Sequence, residues 1–351
     1  MWISKCVVSA VLLASVLLAP ALAGTAEPPR KVILDTDPGT DDALAILFAL
    51  HSPELDVQAI TVVPGNVTLA QGVENALKIV SLAGRCEIPV AAGAERPLLQ
   101  TLTTAEFVHG QNGLADIELP PARCKADVRF GPDLIIELVH KYPGEITLLP
   151  VGPLTNIALA VRKDPSIIPL VKEVILMGGS ISGGNVTAAA EFNIYNDPEA
   201  AQIVFHAGWP VTMVGLEVGN QLLFTDSHLA EVRRGQGPQT DFAAAVLKHL
   251  IDLSASFGYA GTPLYDPSAV GVAIDPTLVT TQKMRVEVET RGEFTRGETV
   301  GNRHNAIERH VRQGDRNVIV GLEKVEPNAE VCVEVDAGRF LELFIARLQG
   351  K

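Results

Sequence analysis

Short, almost wholly apolar runs alternate with segments of helical periodicity over the first two thirds of the chain. Val32–Leu34 precedes a predicted helix at about 41–51, and Val57–Val63 precedes one at about 68–83. Further apolar runs of this kind follow at 146–149, 174–177 and 211–214. Such strands, separated by helices, are typical of a parallel sheet covered on both faces. The pattern predicts an α/β fold with an open, mostly parallel, doubly wound sheet, and a ligand site outside the carboxyl ends of the strands.

The pattern changes after residue 277, where strand-like segments replace the alternation and a β-rich C-terminal part is predicted. These segments are Met284–Thr290, Val318–Leu322 and Val331–Val335, followed by an amphipathic helix at Phe340–Leu348. Two glycine-containing stretches of little periodicity, 93–127 and 178–196, are predicted to be long loops that cover a site. No linker or repeat divides the chain, so residues 24–351 are predicted to form a single domain.

The first 23 residues have the layout of a cleavable secretory signal. Lys5 precedes an apolar run at 6–18, and Ala21-Leu-Ala23 provides a small-x-small cleavage site. We therefore expect signal peptide cleavage near Ala23 and export to the periplasm or the extracellular space. No later segment is long and apolar enough to suggest a membrane span.

Charge and cysteine usage exclude some classes of function. The net charge is −13 and no cluster of Lys and Arg stands out, which argues against binding to nucleic acid. Cys86, Cys124 and Cys332 remain after signal cleavage. An exported chain could pair two of them, and at least one is expected to be a buried, apolar residue.

Four carboxylates lie within eight residues where the first strand meets the first helix. Asp35 and Asp37 end the strand, and Thr40 can cap a helix whose first turn holds Asp41 and Asp42. Two like charges about 4 Å apart repel by about 4 kcal/mol at the effective dielectric of a protein surface. The cluster therefore needs raised pKa values or a cation. Carboxylates without nearby Cys or His specify a hard ion, and a cage of several carboxylates favours Ca²⁺ over Mg²⁺.

This stretch, Asp35-Thr-Asp-Pro-Gly-Thr-Asp-Asp42, resembles the N-terminal signature of the nucleoside hydrolases of the inosine–uridine-preferring type. The resemblance continues in the order of that family and covers nearly the whole mature chain. Its further blocks are Val63-Pro-Gly-Asn66, Val108-His-Gly110, Pro150-Val-Gly-Pro-Leu-Thr-Asn156, Leu176-Met-Gly-Gly179, Ala190-Glu-Phe-Asn193, Asn196-Asp-Pro198 and Asp266-Pro267.

The resemblance implies a Ca²⁺-dependent hydrolysis of the N-glycosidic bond of ribonucleosides. Asp37, Asp42 and Asp266 would hold the ion through their side chains, and Val151 through its backbone carbonyl. Asp35 would be the general base that takes a proton from water. The reaction would pass through an oxocarbenium-like state, as in other glycosyl hydrolysis.

The resemblance also implies a set of residues that bind the ribose hydroxyls. They are Asp41, Asn66, Asn185, Glu191 and Asn193, and Met177 would line the pocket. Carboxylates and amides suit this role because each sugar hydroxyl both donates and accepts hydrogen bonds. Such a site would prefer ribosides to 2′-deoxyribosides, which leave its polar groups unpaired.

The residues that would protonate the leaving base depart from the family pattern. Relatives active on inosine carry a histidine before the Asp-Pro pair, where this chain has Tyr265. His109 is the second candidate acid. A packing role for Tyr265 and a structural role for His109 remain open alternatives, and the preferred base is not predicted.

Two other functions compete with nucleoside hydrolysis. An exported protein that binds nucleoside or ribose without turnover would not need Asp35 as a base. A Mg²⁺-dependent phosphatase of the haloacid-dehalogenase type also ends its first strand in Asp-x-Asp, but the Asp41-Asp42 pair fits the hydrolase signature better. Assembly into a homodimer or homotetramer is expected from the resemblance.

Overall fold

The computed structural model describes Trp2 and residues 28–351. The predicted signal peptide, residues 1–23, therefore lies outside the described residues except for Trp2. Within the described part of the chain, no helix is both long and apolar enough to cross a bilayer.

A nine-stranded sheet forms the centre of the fold, with the strand order β10-β9-β13-β6-β5-β4-β1-β2-β3. The described residues form thirteen strands, of which β7 and β8, and β11 and β12, make two separate two-stranded sheets. In chain order the strands are β1 (Arg30–Thr36), β2 (Leu55–Val62), β3 (Val90–Ala92), β4 (Thr147–Pro150), β5 (Glu173–Met177), β6 (Val211–Val214), β7 (Leu223–Phe224), β8 (Thr262–Pro263), β9 (Val279–Val288), β10 (Thr299–Asn302), β11 (Ala306–Gln313), β12 (Arg316–Lys324) and β13 (Ala329–Val335). The strands from β13 to β3 are parallel to their neighbours, whereas β9 and β10 add antiparallel strands at one edge. The predicted mostly parallel sheet and β-rich C-terminal part are confirmed.

Helices connect the parallel strands and cover both faces of the sheet. They are α1 (Thr40–Leu50), α2 (Leu69–Leu82), α3 (Glu106–His109), α4 (Gly131–Lys141), α5 (Thr155–Lys163), α6 (Phe192–Asn196), α7 (Pro198–Phe205), α8 (Leu216–Gly219), α9 (Asp226–Val232), α10 (Pro238–Ser256), α11 (Asp266–Ile274) and α12 (Ala337–Leu348). Helix α12 begins before the predicted Phe340 because Asp336 caps it, accepting a hydrogen bond from the Arg339 N–H at 3.1 Å.

The core is divided by the sheet into two apolar layers. Along β1, Val32 and Leu34 pack with α1, α2 and α10 on one face, whereas Ile33 packs with α4 and α5 on the other. These side chains are completely buried, as the apolar strand pattern predicts. Because helices occupy both faces, polar groups that bind a ligand are left to the carboxyl edge of the sheet.

The two predicted loops are fixed to each other and to the core by buried polar side chains. The first contains α3, and the second ends in α6. Asp197 accepts hydrogen bonds from the Leu98 N–H at 2.9 Å and the Thr155 hydroxyl at 2.7 Å. Asn196 accepts one from the Thr103 N–H at 3.1 Å. These contacts give the first loop a defined path beside the carboxyl edge of the sheet.

Two of the cysteines form a disulfide and another is packed in the core. Cys86 and Cys124 are joined across 38 residues and tie the first long loop to the turn that follows α2. Cys332 is buried on β13, in agreement with the expected role as a small apolar residue.

Candidate active site

Several polar side chains named in the sequence analysis meet at the carboxyl edge of the parallel strands. Asp37 follows β1, Asn66 follows β2 and Val151 follows β4, while Asp266 is the first residue of α11. All four residues are buried. The parallel topology explains this convergence, since the carboxyl ends of neighbouring strands share one edge.

The start of α1 is built around Asp42. Its carboxylate accepts hydrogen bonds from the Gly39 N–H at 3.0 Å and from the Asn66 amide at 2.8 Å. The suggestion that Thr40 caps this helix is wrong, because the helix begins at Thr40 itself and Gly39 occupies the cap position. The Thr40 hydroxyl instead lies 2.7 Å from Nδ1 of His109.

The carboxylates form a compact group that fits a hard cation. Asp41, Asp42 and Asp266 each place one oxygen within 4.8 Å of the others. Burial raises the pKa of Asp266 well above its usual range, and the charges of Asp41, Asp42 and Asp37 raise it further. Asp37 has the same kind of shift, caused by burial and the charge of Asp42.

Unpaired carboxylate oxygens support this interpretation. Oδ1 of Asp37 and Oδ1 of Asp41 are buried without a hydrogen-bond partner within residues 28–351. Gly152 lets the Asp37 carboxylate lie against the backbone after β4, because a Cβ there would lie 2.5 Å from Oδ1. Crowded carboxylates with free oxygens and no thiol or imidazole ligand suit Ca²⁺ or Mg²⁺.

Asp35 lies in different surroundings from the other carboxylates. Its Oδ1 accepts hydrogen bonds from the Thr61 hydroxyl at 2.5 Å and the Asn156 amide at 2.8 Å. Burial raises its pKa to about 7, opposed by these two hydrogen bonds. The charges of Asp42 and Asp41, which raise the pKa of Asp37, do not contribute to the pKa shift of Asp35. Asp35 thus links β1, β2 and α5, while its Oδ2 is buried without a partner in the described chain.

Glu191 and Asn193 form a second polar group next to the carboxylates. Asn193 donates from its side chain to the Val151 carbonyl at 2.8 Å and to the Met177 carbonyl at 3.2 Å. Glu191 accepts from the Asn193 N–H at 2.9 Å. Burial raises the pKa of Glu191 to about 7, and the charge of Asp41 contributes to this shift. The structure therefore brings Met177, Val151, Glu191 and Asn193 together beside Asp41.

Asn185 is not part of this buried group. It is exposed, and its side-chain oxygen accepts a hydrogen bond from the Phe192 N–H at 3.0 Å, at the start of α6. The loop that carries it is held by Glu217, which accepts from the Ser180 hydroxyl at 2.7 Å and the Ile181 N–H at 2.8 Å. The ribose contact of Asn185 stays a prediction.

The two predicted proton donors are both engaged in hydrogen bonds. Nδ1 of buried His109 accepts from the Thr40 N–H at 3.1 Å, and burial lowers the pKa of His109 to about 4. The Tyr265 hydroxyl donates to Asn220 at 2.9 Å. Burial and the charge of Asp41 raise the pKa of Tyr265 above its usual range. Neither group is poised to release a proton at neutral pH, and their catalytic roles stay predictions.

Exposed aromatic side chains near these donors were missed by the sequence analysis. Phe107, Phe257 and Tyr259 are 75%, 59% and 67% exposed. The rings of Phe107 and Phe257 lie 6.1 Å apart, and Tyr259 is close enough to Tyr265 to influence its pKa. The available signal was the run of bulky residues around a glycine directly after α10, together with a phenylalanine two residues before His109.

The fold and site define a class: an α/β protein with a buried, carboxylate-rich site for a metal ion at the carboxyl edge of its parallel strands. The family model of the inosine-uridine preferring nucleoside hydrolases matches residues 32–342. The chain belongs to this family, as the sequence analysis predicted. The metal dependence of the family agrees with the cluster of Asp41, Asp42 and Asp266.

Individual relatives agree with this assignment. The chain is 43% identical over 285 residues to the inosine-uridine preferring nucleoside hydrolase of Crithidia fasciculata, covering 80% of this chain and 90% of the relative. It is 38% identical over 322 residues to the pyrimidine-specific ribonucleoside hydrolase RihA of Shewanella woodyi, covering 91% and 98%. A solved plant nucleoside hydrolase, PpNRh1, superimposes with a TM-score of 0.83 at 38% identity, covering 92% and 99%. The predicted enzyme class is confirmed, and neither competing function is favoured.

Proposed function

We propose that the protein hydrolyses the N-glycosidic bond of ribonucleosides and releases free base and ribose. The observation that carries the proposal is the group of buried carboxylates and amides at the carboxyl edge of the sheet in a member of this family. These groups can hold a cation and a sugar side by side, because Glu191 and Asn193 lie next to Asp41.

The metal is proposed to be Ca²⁺, held by the side chains of Asp37, Asp42 and Asp266 and by the carbonyl of Val151. The orphaned Oδ1 of Asp37 and the crowding around Asp42 support this ligand set within the described residues. Asp41 is near enough to add a further oxygen. When bound, the ion supplies positive charge that offsets the carboxylates and lowers the pKa of water.

The proton of the attacking water passes to a carboxylate at the carboxyl end of the first strand. Asp35 is the sequence-based candidate for this role. The geometry favours Asp37, because the charges of Asp42 and Asp41 act on Asp37 and not on Asp35, which places Asp37 beside the ion as well as among its ligands. Each of the two acids has one buried oxygen without a partner among the described residues, so this feature does not separate them. Asp35 has two hydrogen bonds, from Thr61 and Asn156, and lies in separate surroundings.

The ribose is proposed to bind through Asp41, Asn66, Glu191 and Asn193. Each is a carboxylate or an amide, and together they can meet hydroxyls that both donate and accept. Burial excludes water from competing for these groups, so a missing hydroxyl leaves a protein group unpaired.

The base is proposed to lie among Phe107, Phe257 and Tyr259, with His109 and Tyr265 beneath. Exposed aromatic rings close to His109 and Tyr265 support this proposal, because a flat heterocycle can stack against them. The relatives named above differ in the bases that their names state. The base preference of this chain is therefore left to measurement.

A substrate panel with and without a chelator tests the proposed function. Inosine, adenosine, guanosine, uridine and cytidine are incubated with the enzyme, and the ribose released is measured by its reducing end. We expect ribose release from at least one nucleoside, lost with the chelator and restored by Ca²⁺. Binding of nucleosides without release of ribose contradicts hydrolysis and supports the nucleoside-binding alternative.

We also propose that the mature protein is exported and assembles into a homodimer or homotetramer. The signal-like residues 1–23 and the Cys86–Cys124 disulfide support export, because disulfides persist in oxidising compartments. Exposed apolar side chains on the β11–β12 hairpin, such as Ile319 and Leu322, support assembly. N-terminal sequencing of the secreted protein and light scattering of the purified protein test these proposals.

A further inference from the structure

The contact between Thr40 and His109 fixes where the imidazole carries its proton. The Thr40 N–H points at Nδ1 of His109 across 3.1 Å, and the Thr40 hydroxyl lies 2.7 Å from the same nitrogen. A backbone N–H is always a donor, so Nδ1 must be an acceptor and carries no proton. A ring in this state carries its proton on Nε2.

We propose that Thr40 holds His109 as the neutral Nε2–H tautomer, so that His109 donates a hydrogen bond to the departing base and does not act as an imidazolium acid. The tautomer rests on the geometry alone, whereas the identity of the acceptor rests on the proposed function. Thr40 is a positioning residue, and His109 is the group that touches the substrate.

The start of α1 and the end of α3 place Thr40 and His109 in contact. Thr40 is the first residue of α1, where a backbone N–H has no partner within the helix. His109 is the last residue of α3 and brings its ring to that N–H. Gly39 permits the approach, because a Cβ at this position would lie 2.7 Å from Nδ1.

The charged groups around His109 do not compete for Nδ1. Oδ1 of Asp41 is 3.8 Å from Nδ1, which is too long for a hydrogen bond. Asp42 and Glu106 act on the ring through their charges, and His249 contacts the preceding Val108 carbonyl through its own Nε2 at 2.8 Å.

Nε2 of His109 is left without a hydrogen-bond partner in residues 28–351. A nucleobase supplies the matching acceptor, since purines carry ring nitrogens and pyrimidines carry a carbonyl oxygen. A neutral donor stabilises the negative charge that develops on the base as the glycosidic bond breaks.

Nuclear magnetic resonance of the ¹⁵N-histidine-labelled protein tests the tautomer directly. His109→Gln assigns the His109 signals, and the long-range ¹H–¹⁵N pattern distinguishes the Nε2–H, Nδ1–H and doubly protonated rings. We expect the Nε2–H pattern from about pH 6 to about pH 8, with Ca²⁺ present. An Nδ1–H or doubly protonated pattern overturns the proposal, and no substitution at Thr40 is needed for this result.

Replacement of His109 by Gln and by Ala separates a neutral donor from an acid. The Gln amide donates a hydrogen bond but does not titrate, so Gln should keep kcat within about tenfold of the wild type. Ala should lower kcat by about 10²-fold, with little change in KM. Equal losses in both variants contradict the neutral-donor role. On a riboside of p-nitrophenol, whose leaving group departs without a hydrogen-bond donor, the Ala variant should lose less of its kcat.

The matched pair Thr40→Ser and Thr40→Val tests the positioning role. Both keep the backbone N–H, but only Ser keeps the hydroxyl beside Nδ1. We expect Thr40→Val to lower kcat on nucleosides by about threefold to tenfold, and Thr40→Ser to keep most of the wild-type kcat. If Ser and Val behave alike, the hydroxyl has no part in positioning. If the wild type hydrolyses no nucleoside, the proposed function fails, while the tautomer measurement still decides this inference.

Discussion

Asp35 and Asp37 both lie at the end of β1, yet their carboxyl groups have different neighbours. Asp35 is within the strand and pairs in register with Thr61 of β2. Strand alternation would place Asp37 on the same face. The strand ends at Thr36, however, and the following turn redirects Asp37 towards Asp42. The motif predicted a group of acids, but it could not distinguish these two because the turn geometry is set by distant contacts such as Asn66.

Separate substitutions of the two acids test which one is the base. Asp37→Asn should lower kcat by about 10³-fold at saturating Ca²⁺, because loss of a positioned base typically costs 10² to 10⁴ in rate. Asp35→Asn removes a buried acceptor of hydrogen bonds from Thr61 and Asn156 and should cost about tenfold. Ribose release in single-turnover experiments measures both effects. A larger loss for Asp35→Asn than for Asp37→Asn restores the sequence-based assignment.

Ribose recognition is tested by removing one hydroxyl from the substrate. Glu191 and Asn193 are buried, so a 2′-deoxyribonucleoside leaves a polar group without a partner. We expect kcat/KM for the 2′-deoxynucleoside to be at least about 10²-fold below that of the matching ribonucleoside. Asn193→Ala should narrow this ratio by weakening binding of the ribonucleoside. A ratio near unity in the wild type contradicts the proposed ribose site.

At the scale of elements, helices with a clear apolar pattern could be predicted from the sequence, whereas the side chains that hold the loops in place could not. Helices α1 and α2 lie close to the predicted segments. In α2 the apolar residues recur at helical spacing, whereas α1 is an unbroken apolar run that is long enough for a buried helix. The loop between β5 and α6 is held by Glu217, whose partners are more than thirty residues away. No local pattern reveals such a pairing.

Loss of Glu217 should loosen this loop and weaken substrate binding. Glu217→Ala removes the acceptor used by the Ser180 hydroxyl and the Ile181 N–H, so KM should rise by about tenfold and kcat should change less. Glu217→Gln keeps one side-chain oxygen and should have a smaller effect. Hydrogen exchange of residues 178–191 should be faster in the Ala variant, and unchanged exchange with unchanged KM would rule out the anchoring role.

At the scale of the whole molecule, stability and function meet in the buried acids. Burial raises the pKa of Asp35 and Glu191 to about 7 and the pKa of Asp41 to about 6. It also raises the pKa values of Asp37 and Asp266. A site of this kind stabilises its charged form only when a cation is present. Composition alone could not predict this, because an acidic chain can equally carry its charge on the surface.

The pH dependence of the melting temperature, measured with and without Ca²⁺, tests this coupling. A carboxyl group whose pKa is higher in the folded than in the unfolded state favours folding while it is protonated and loses that contribution as pH rises. From the shifts of Asp35, Asp41 and Glu191, the chelated protein should lose stability between about pH 4 and about pH 7.

Bound Ca²⁺ favours the ionised forms, so it should raise the melting temperature more at about pH 8 than at about pH 5.5. At 100 times its dissociation constant an ion adds about 2.7 kcal/mol, which corresponds to about 4 °C for a chain of this size. Asp266→Asn removes one proposed ligand and should reduce the Ca²⁺-dependent rise in melting temperature at the higher pH. If Ca²⁺ does not raise the melting temperature of the wild type, or raises it equally at both pH values, these acids do not share a cation. The proposed metal site would then have to be abandoned.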